Sequence, residues 1–124
     1  MFICGDTFLA GEEDDQDLHL WIVVTPPYDG EVVTVSVTTK RKTSETLVTL
    51  LAGCHPFITH ESVISYSYSK IRFVSDIETA VKNGFAKKRE PVSSELLKRV
   101  QNGLIDSDFT PNGVRHFYKE VMEC

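Results

Sequence analysis

The stretch LHLWIVVTPPYDGEVVTVSVTT, residues 18–39, decides the fold class. Its flanks, LHLWIVVT (18–25) and VVTVSVTT (32–39), are rich in β-branched and aromatic residues, which suit a pleated, half-buried surface. Between them PPYDGE carries Asp29-Gly30, a pair that tolerates positive φ at both positions and so suits a tight hairpin turn. The segment therefore predicts an antiparallel hairpin. Counting back from the turn sets Thr25 against residues 31–33 and brings His19 level with Thr38 to within about two positions. A slip of one residue would send those two side chains to opposite faces, so their facing depends on register.

Working outward, TLVTLL (46–51) and SVISYSYS (62–69) read as further strands. In the second, Val63, Ser65 and Ser67 alternate with Ile64, Tyr66 and Tyr68 as in a half-buried strand. KIRFV (70–74) either continues that strand or bends away from it. Several short strands separated by turn-rich loops suggest a barrel or sandwich. The last third changes period. Residues 76–82 are a short helix stopped by Asn83-Gly84. Ser93 caps a second helix whose Leu96, Leu97, Val100 and Leu104 form an apolar stripe up to about Gly103. Thr110-Pro111 opens a third, on which Val114, Phe117, Val121 and Met122 face one way.

The 124 residues suit one domain spanning 1–124, large enough to hide roughly 60% of its unfolded surface without staples. No apolar run approaches the roughly 20 residues that cross a bilayer, and MFICGDTF lacks the features of a signal peptide, so the expected address is cytoplasmic. Cys4, Cys54 and Cys124 are scattered and lack CxxC spacing, which argues against a disulfide framework. Cys54 lies beside His55, but the paired short spacings of a structural zinc site are missing, and no metal or cofactor is expected. The net charge is −5, and Glu12, Glu13, Asp14, Asp15 and Asp17 account for all of it. That acidic loop, 11–17, has little apolar area to offset ordering entropy and is expected to be mobile. The remaining charges balance, and the basic runs 40–42, 87–89 and 98–99 leave a nucleic-acid partner open.

Gly5-Asp6-Thr7-Phe8 leading a strand, the acidic loop, IVVTP (22–26), VVTVSVTT and SVISYSYSKI follow one another in an order similar to that of the MazF/PemK toxins. FAKKREPVSSELLKRVQNGLI (85–105) is similar to the family's lysine-bearing segment and terminal helix, so the resemblance runs from residue 5 to 105. It implies an α+β fold: a small antiparallel SH3-like β-barrel with C-terminal helices, of which residues 106–124 would be an addition. It also implies a homodimer that cuts single-stranded RNA without a metal and is restrained by a cognate antitoxin. The family uses an arginine from its Arg-Pro dipeptide together with the first threonine of a Thr-Thr pair. Thr38 matches the threonine, but Leu18-His19-Leu20-Trp21 stands where the arginine should be, and no arginine precedes Arg41.

Histidine can supply acid–base chemistry near neutral pH, which makes His19, His55 and His60 candidates beside Thr38, with Pro56 restricting the backbone at His55. His116, on the last helix, reads as structural. Lys40 and Arg41 follow the threonines and can hold phosphate. Tyr28 and Phe57, in loops, are the better stacking platforms for bases, whereas Trp21 and Tyr66 read as core. The alternative is a non-catalytic MazF/CcdB-fold binding module acting on a protein or nucleic acid, which the missing arginine favours. A third reading is an unrelated β-rich interaction protein.

Overall fold

The computed structural model describes residues 2–11, 18–42 and 44–122. The strands are β1 (Thr7–Ala10), β2 (His19–Val23), β3 (Glu31–Thr39), β4 (Thr49–Leu50), β5 (Ser62–Phe73) and β6 (Ala86–Arg89). The helices are α1 (Val74–Lys82), α2 (Ser94–Asp106) and α3 (Asn112–Met122). The strands form one antiparallel sheet in the order β4-β5-β3-β2-β1-β6, curled into a half-barrel with β4 and β6 at its edges.

The hairpin forms as its residues dictate. Asp29 and Gly30 both take positive φ, 51° and 78°, and Tyr28 and Glu31 exchange backbone hydrogen bonds of 2.9 and 3.0 Å across them. Those signs define a type I′ turn, whose twist matches that of the flanking strands. Leu20, Ile22 and Val24 of the first flank, with Val33, Val35 and Val37 of the second, enter a core beneath α2 and α3. Trp21, Val23 and Val32 face the other way, into a second core with Phe2, Phe8, Ala86 and Ile77 of α1. The central strands are thus covered on both faces, which is why both parities of the hairpin sequence are apolar. Trp21 is locked further by its indole N–H, which donates to the Ala10 carbonyl at 3.3 Å, and by Arg72, stacked 4.5 Å from its ring centre.

β5 accommodates KIRFV by continuing through an irregularity. Its partners on β3 step from Ser36↔Ser65 to Thr34↔Lys70, so Tyr66–Ser69 bulge out of the ladder. The Ser69 hydroxyl closes the bulge on the Tyr66 carbonyl at 2.6 Å, and Glu45 accepts the Tyr66 N–H at 3.1 Å. Tyr66 itself is fully buried and donates its hydroxyl to the Val100 carbonyl of α2 at 2.8 Å.

Several element boundaries differ from expectation. TLVTLL pairs only at Thr49–Leu50. The segment 86–89, read as part of a basic tail, is instead an edge strand paired to β1, because Ala86 is buried while the lysines stay exposed. Ser93 caps α2 as expected, accepting the Leu96 N–H at 3.1 Å. That helix does not stop at Gly103 but runs on to Asp106. On α3 the buried residues are Val114 and Tyr118, Phe117 packs at the rim and Met122 is exposed, because the i, i+4 pair carries the contact. Residues 12–17 and Cys124 lie outside the described residues, and with them the expected mobility of the acidic loop.

Gly103 is glycine because Tyr66 leaves no room for anything else. A Cβ there would run into the Tyr66 hydroxyl and stand 2.7 Å from Val48 Cγ2. Gly103→Ala gains about 1 kcal/mol of helix propensity but overpacks the core by about 1–3 kcal/mol, so a net loss is expected in urea unfolding. A stabilised variant would contradict this packing.

Burial, followed by the Glu45 carboxylate, pushes the Tyr66 hydroxyl well above the usual tyrosine range. A folded-state pKa raised above the unfolded one contributes stability that is complete below the unfolded value of about 10 and is lost as pH rises beyond it. Tyr66→Phe should therefore flatten the fall of unfolding free energy above about pH 10. An unchanged slope would show that the phenol ionises in the folded protein.

Candidate functional site

The ends of β2 and β3 remote from the hairpin turn border a cavity of about 500 Å³, within the size range of small-ligand sites. His19, Thr38, Arg41, Phe57, His60 and Arg89 all line it. The hairpin register explains the first two. Leu20 pairs with Val37, so one step further His19 stands opposite Thr38. Directly opposed residues share a face, and these two leave the sheet on the side of Trp21 and Ser36. Leu18 and Val37 alternate to the other side yet also line the cavity, which therefore wraps around the end of the sheet.

The loop between β4 and β5 supplies Phe57 and His60. It folds back on itself through the Gly53 N–H to the Ile58 carbonyl (2.8 Å) and the Ile58 N–H to the His55 carbonyl (2.9 Å), while Ile58 is buried in the core. His55 does not face the cavity. It is 2% exposed and serves as a clamp. Its Nδ1 accepts the Phe57 N–H at 3.0 Å, so its Nε2 carries the proton and donates to the Glu90 carbonyl at 2.6 Å. The same carbonyl accepts the Thr7 hydroxyl at 2.7 Å. One imidazole thus ties the loop carrying Phe57 and His60 to the end of β6, beside Arg89. His60 is steadied in turn by the Ser62 hydroxyl, which donates to its carbonyl at 2.9 Å.

Arg41 and His60 also border an adjoining groove with Lys40, Lys42 and Glu61, so a basic path leads out of the cavity. Lys40 pairs there with Glu61 at 3.0 Å, an exposed contact worth at most about 1 kcal/mol. Tyr28 lies apart, at the hairpin turn, with its ring against Phe117 of α3 at 6.1 Å between centres. His116 is exposed on α3.

Neither described cysteine is activated as a nucleophile. Burial, with Asp6 nearby, raises the Cys4 thiol above its ordinary range, and partial desolvation does the same for Cys54. Among the described residues no group of three or more histidines, cysteines and carboxylates gathers to hold a metal ion. Sequence reasoning missed Arg89 as a cavity residue. It was visible only as the end of a basic run, and the β1–β6 pairing that aims it could not be read from local pattern.

No protein-family model matches the chain, and the curated proteins searched contain no match. The architecture, a curled antiparallel half-barrel flanked by helices, is shared with solved structures. One is described as an endoribonuclease in complex with its cognate antitoxin from mycobacterial species, with a TM-score of 0.59 and 15% identity over 90% of this chain and 98% of that one. At that identity the likeness shows the fold. No helix among the described residues is long and apolar enough to cross a membrane.

His55→Ala should lower stability by about 2 kcal/mol, because it removes two partly buried hydrogen bonds and strands the Phe57 N–H. It should also raise the protease sensitivity of the 51–61 loop. A variant as stable and as resistant as the parent would remove His55 from this role.

Proposed function

We propose that this chain is a toxin-like endoribonuclease of the MazF/PemK type, an SH3-like domain spanning 1–124 with α3 as an addition, which cleaves single-stranded RNA without a metal. The observation that carries the reading is the convergence of His19, His60 and the Thr38 hydroxyl with cationic side chains on one cavity. Phosphodiester cleavage by an internal nucleophile needs a base, an acid and donors to the phosphoryl oxygens, and no other group.

In this reading one imidazole, assigned to His19, takes the proton of the ribose 2′-hydroxyl. The O2′–P bond forms and the P–O5′ bond breaks. His60, protonated, gives its proton to the departing O5′, leaving a 2′,3′-cyclic phosphate and a 5′-hydroxyl. Thr38 donates to a non-bridging oxygen as its charge grows, and Phe57 offers a face for a base. Lys40 and Arg41, along the outgoing groove, hold the neighbouring phosphate, which favours a strand over a mononucleotide.

Control by an antitoxin in the cytoplasm is proposed on the fold shared with a toxin that was solved with its own antitoxin. A homodimer is proposed because β4 and β6 end the sheet, each with one margin that has no neighbouring strand among the described residues. Light scattering at tens of micromolar should give twice the mass of the chain, and a strict monomer would count against it.

The activity test is cleavage of a single-stranded RNA in EDTA. The rate should fall both at low pH, where the base is protonated, and at high pH, where the acid has lost its proton. Thr38→Ala should lower it by about 10²-fold, and His19→Ala or His60→Ala by about 10²–10⁴-fold. Undiminished rates in all three variants would exclude this cavity, and a parent protein that binds RNA without cutting it would favour the binding-module reading.

A further inference from the structure

Arg89 ends β6 opposite Thr7, and its side chain is three-quarters hidden, at 25% exposure. Its guanidinium carbon lies 5.9 Å from the centre of the Phe57 ring. Nη2 is 3.7 Å from the half-exposed Glu90 carboxylate, too far for a hydrogen bond. Nε is buried and has no hydrogen-bond partner among the described residues. A buried guanidinium donor left unmade is unfavourable, and the chain cannot relieve it by withdrawing the strand. The next carbonyl, that of Glu90, is pinned from two sides by Thr7 and His55. The neighbouring basic residues do not share this setting. Lys88 pairs with Asp6 at 3.3 Å and lies over Phe2, and neither it nor Lys87 lines the cavity.

A cationic fork in the wall of a cavity that His19, His60 and Thr38 also line, with its Nε unpartnered among the described residues, is suited to an oxyanion with two equivalent oxygens. We propose that Arg89 is the guanidinium that grips the scissile phosphodiester through its non-bridging oxygens. Guanidinium geometry matches such a pair bidentately, whereas an ammonium does not. Phe57 then has two tasks, since its ring carries the guanidinium on one side and leaves the other for a base. The proposal deepens the reading of the cavity as a ribonuclease site and rests on it.

The test uses the full chain, its Arg89→Ala and Arg89→Lys variants, a cleavable single-stranded RNA, and the same strand 2′-O-methylated throughout, which lacks the nucleophile. With Arg89→Ala the single-turnover rate should fall by about 10²–10³-fold. For the methylated strand, the slope of log affinity against log salt should lessen by about 0.7, one single-strand phosphate contact. Arg89→Lys, keeping the charge and losing the fork, should keep the slope and recover only part of the rate. Unchanged rate and slope in Arg89→Ala, with Thr38→Ala impaired, would overturn the assignment while leaving the nuclease reading intact. A parent that binds the methylated strand with an Arg89-dependent slope but cuts no RNA would keep the phosphate contact and remove the nuclease. A parent that binds neither strand would overturn both.

Discussion

The His55 imidazole, wedged between the Phe57 N–H and the Glu90 carbonyl, is the contact on which the candidate site depends. It hydrogen-bonds the β4–β5 loop to the end of β6 across 35 residues of sequence, where the Phe57 ring also meets Arg89. Without it the loop carrying Phe57 and His60 would lose its hydrogen bond to β6, and the end of β6 beside Arg89 would keep its ties to β1 and the segment before it, through the Thr7 hydroxyl and through the Val92 N–H to the Gly5 carbonyl. Buried hydrogen bonds of this kind add little net stability, but they are costly to leave half made, so they choose one arrangement among many. Here the arrangement chosen is the one that closes the cavity.

The rest of the cavity is set by the central hairpin. Two-sided burial of β2 and β3 makes a register slip prohibitive, since it would exchange Leu20, Ile22 and Val35 with Trp21, Val23 and Ser36 between two cores of different shape. The type I′ turn fixes the same register from the other end. His19 and Thr38 are therefore placed by the packing of their neighbours along the strands together with their own ladder partners, Ala10 and Val63, and both remain half-buried at the rim of the cavity. A rigid scaffold carrying reactive groups at strand ends and in one clamped loop is the usual division of labour between fold and site.

What was legible in the sequence follows from how local each signal is. The Asp29-Gly30 turn, the Ser93 cap, the Asn83-Gly84 stop and the burial of Trp21 and Tyr66 are decided by neighbours within a few residues, and the structure agrees with them. The opposition of His19 and Thr38 was readable because a hairpin register needs only the turn and the alternation. By contrast, β6 could not be read from KKRE, since its strand character comes from β1, some 80 residues distant, and its lysines mimic a solvated tail. Gly103 reads as a helix stop only if Tyr66 is ignored. His55 reads as a catalytic candidate beside His60 because both lie in one loop, yet one is buried under Glu90 and the other exposed. Tyr28 reads as a platform because it is an aromatic residue in a turn, and the partner that occupies it, Phe117, is on the last helix.

The central claim is that the cavity at the open end of the hairpin receives a single-stranded nucleic acid. An NMR titration of the protein with a 2′-O-methylated single strand tests it most directly, because the four histidines report from different places. The imidazole signals of His19 and His60 and the ring signals of Phe57 should move together with one affinity, while those of His116 and Tyr28 stay still. Shifts centred on Tyr28 and Phe117, or none at the two cavity histidines when the strand is bound, would contradict the account.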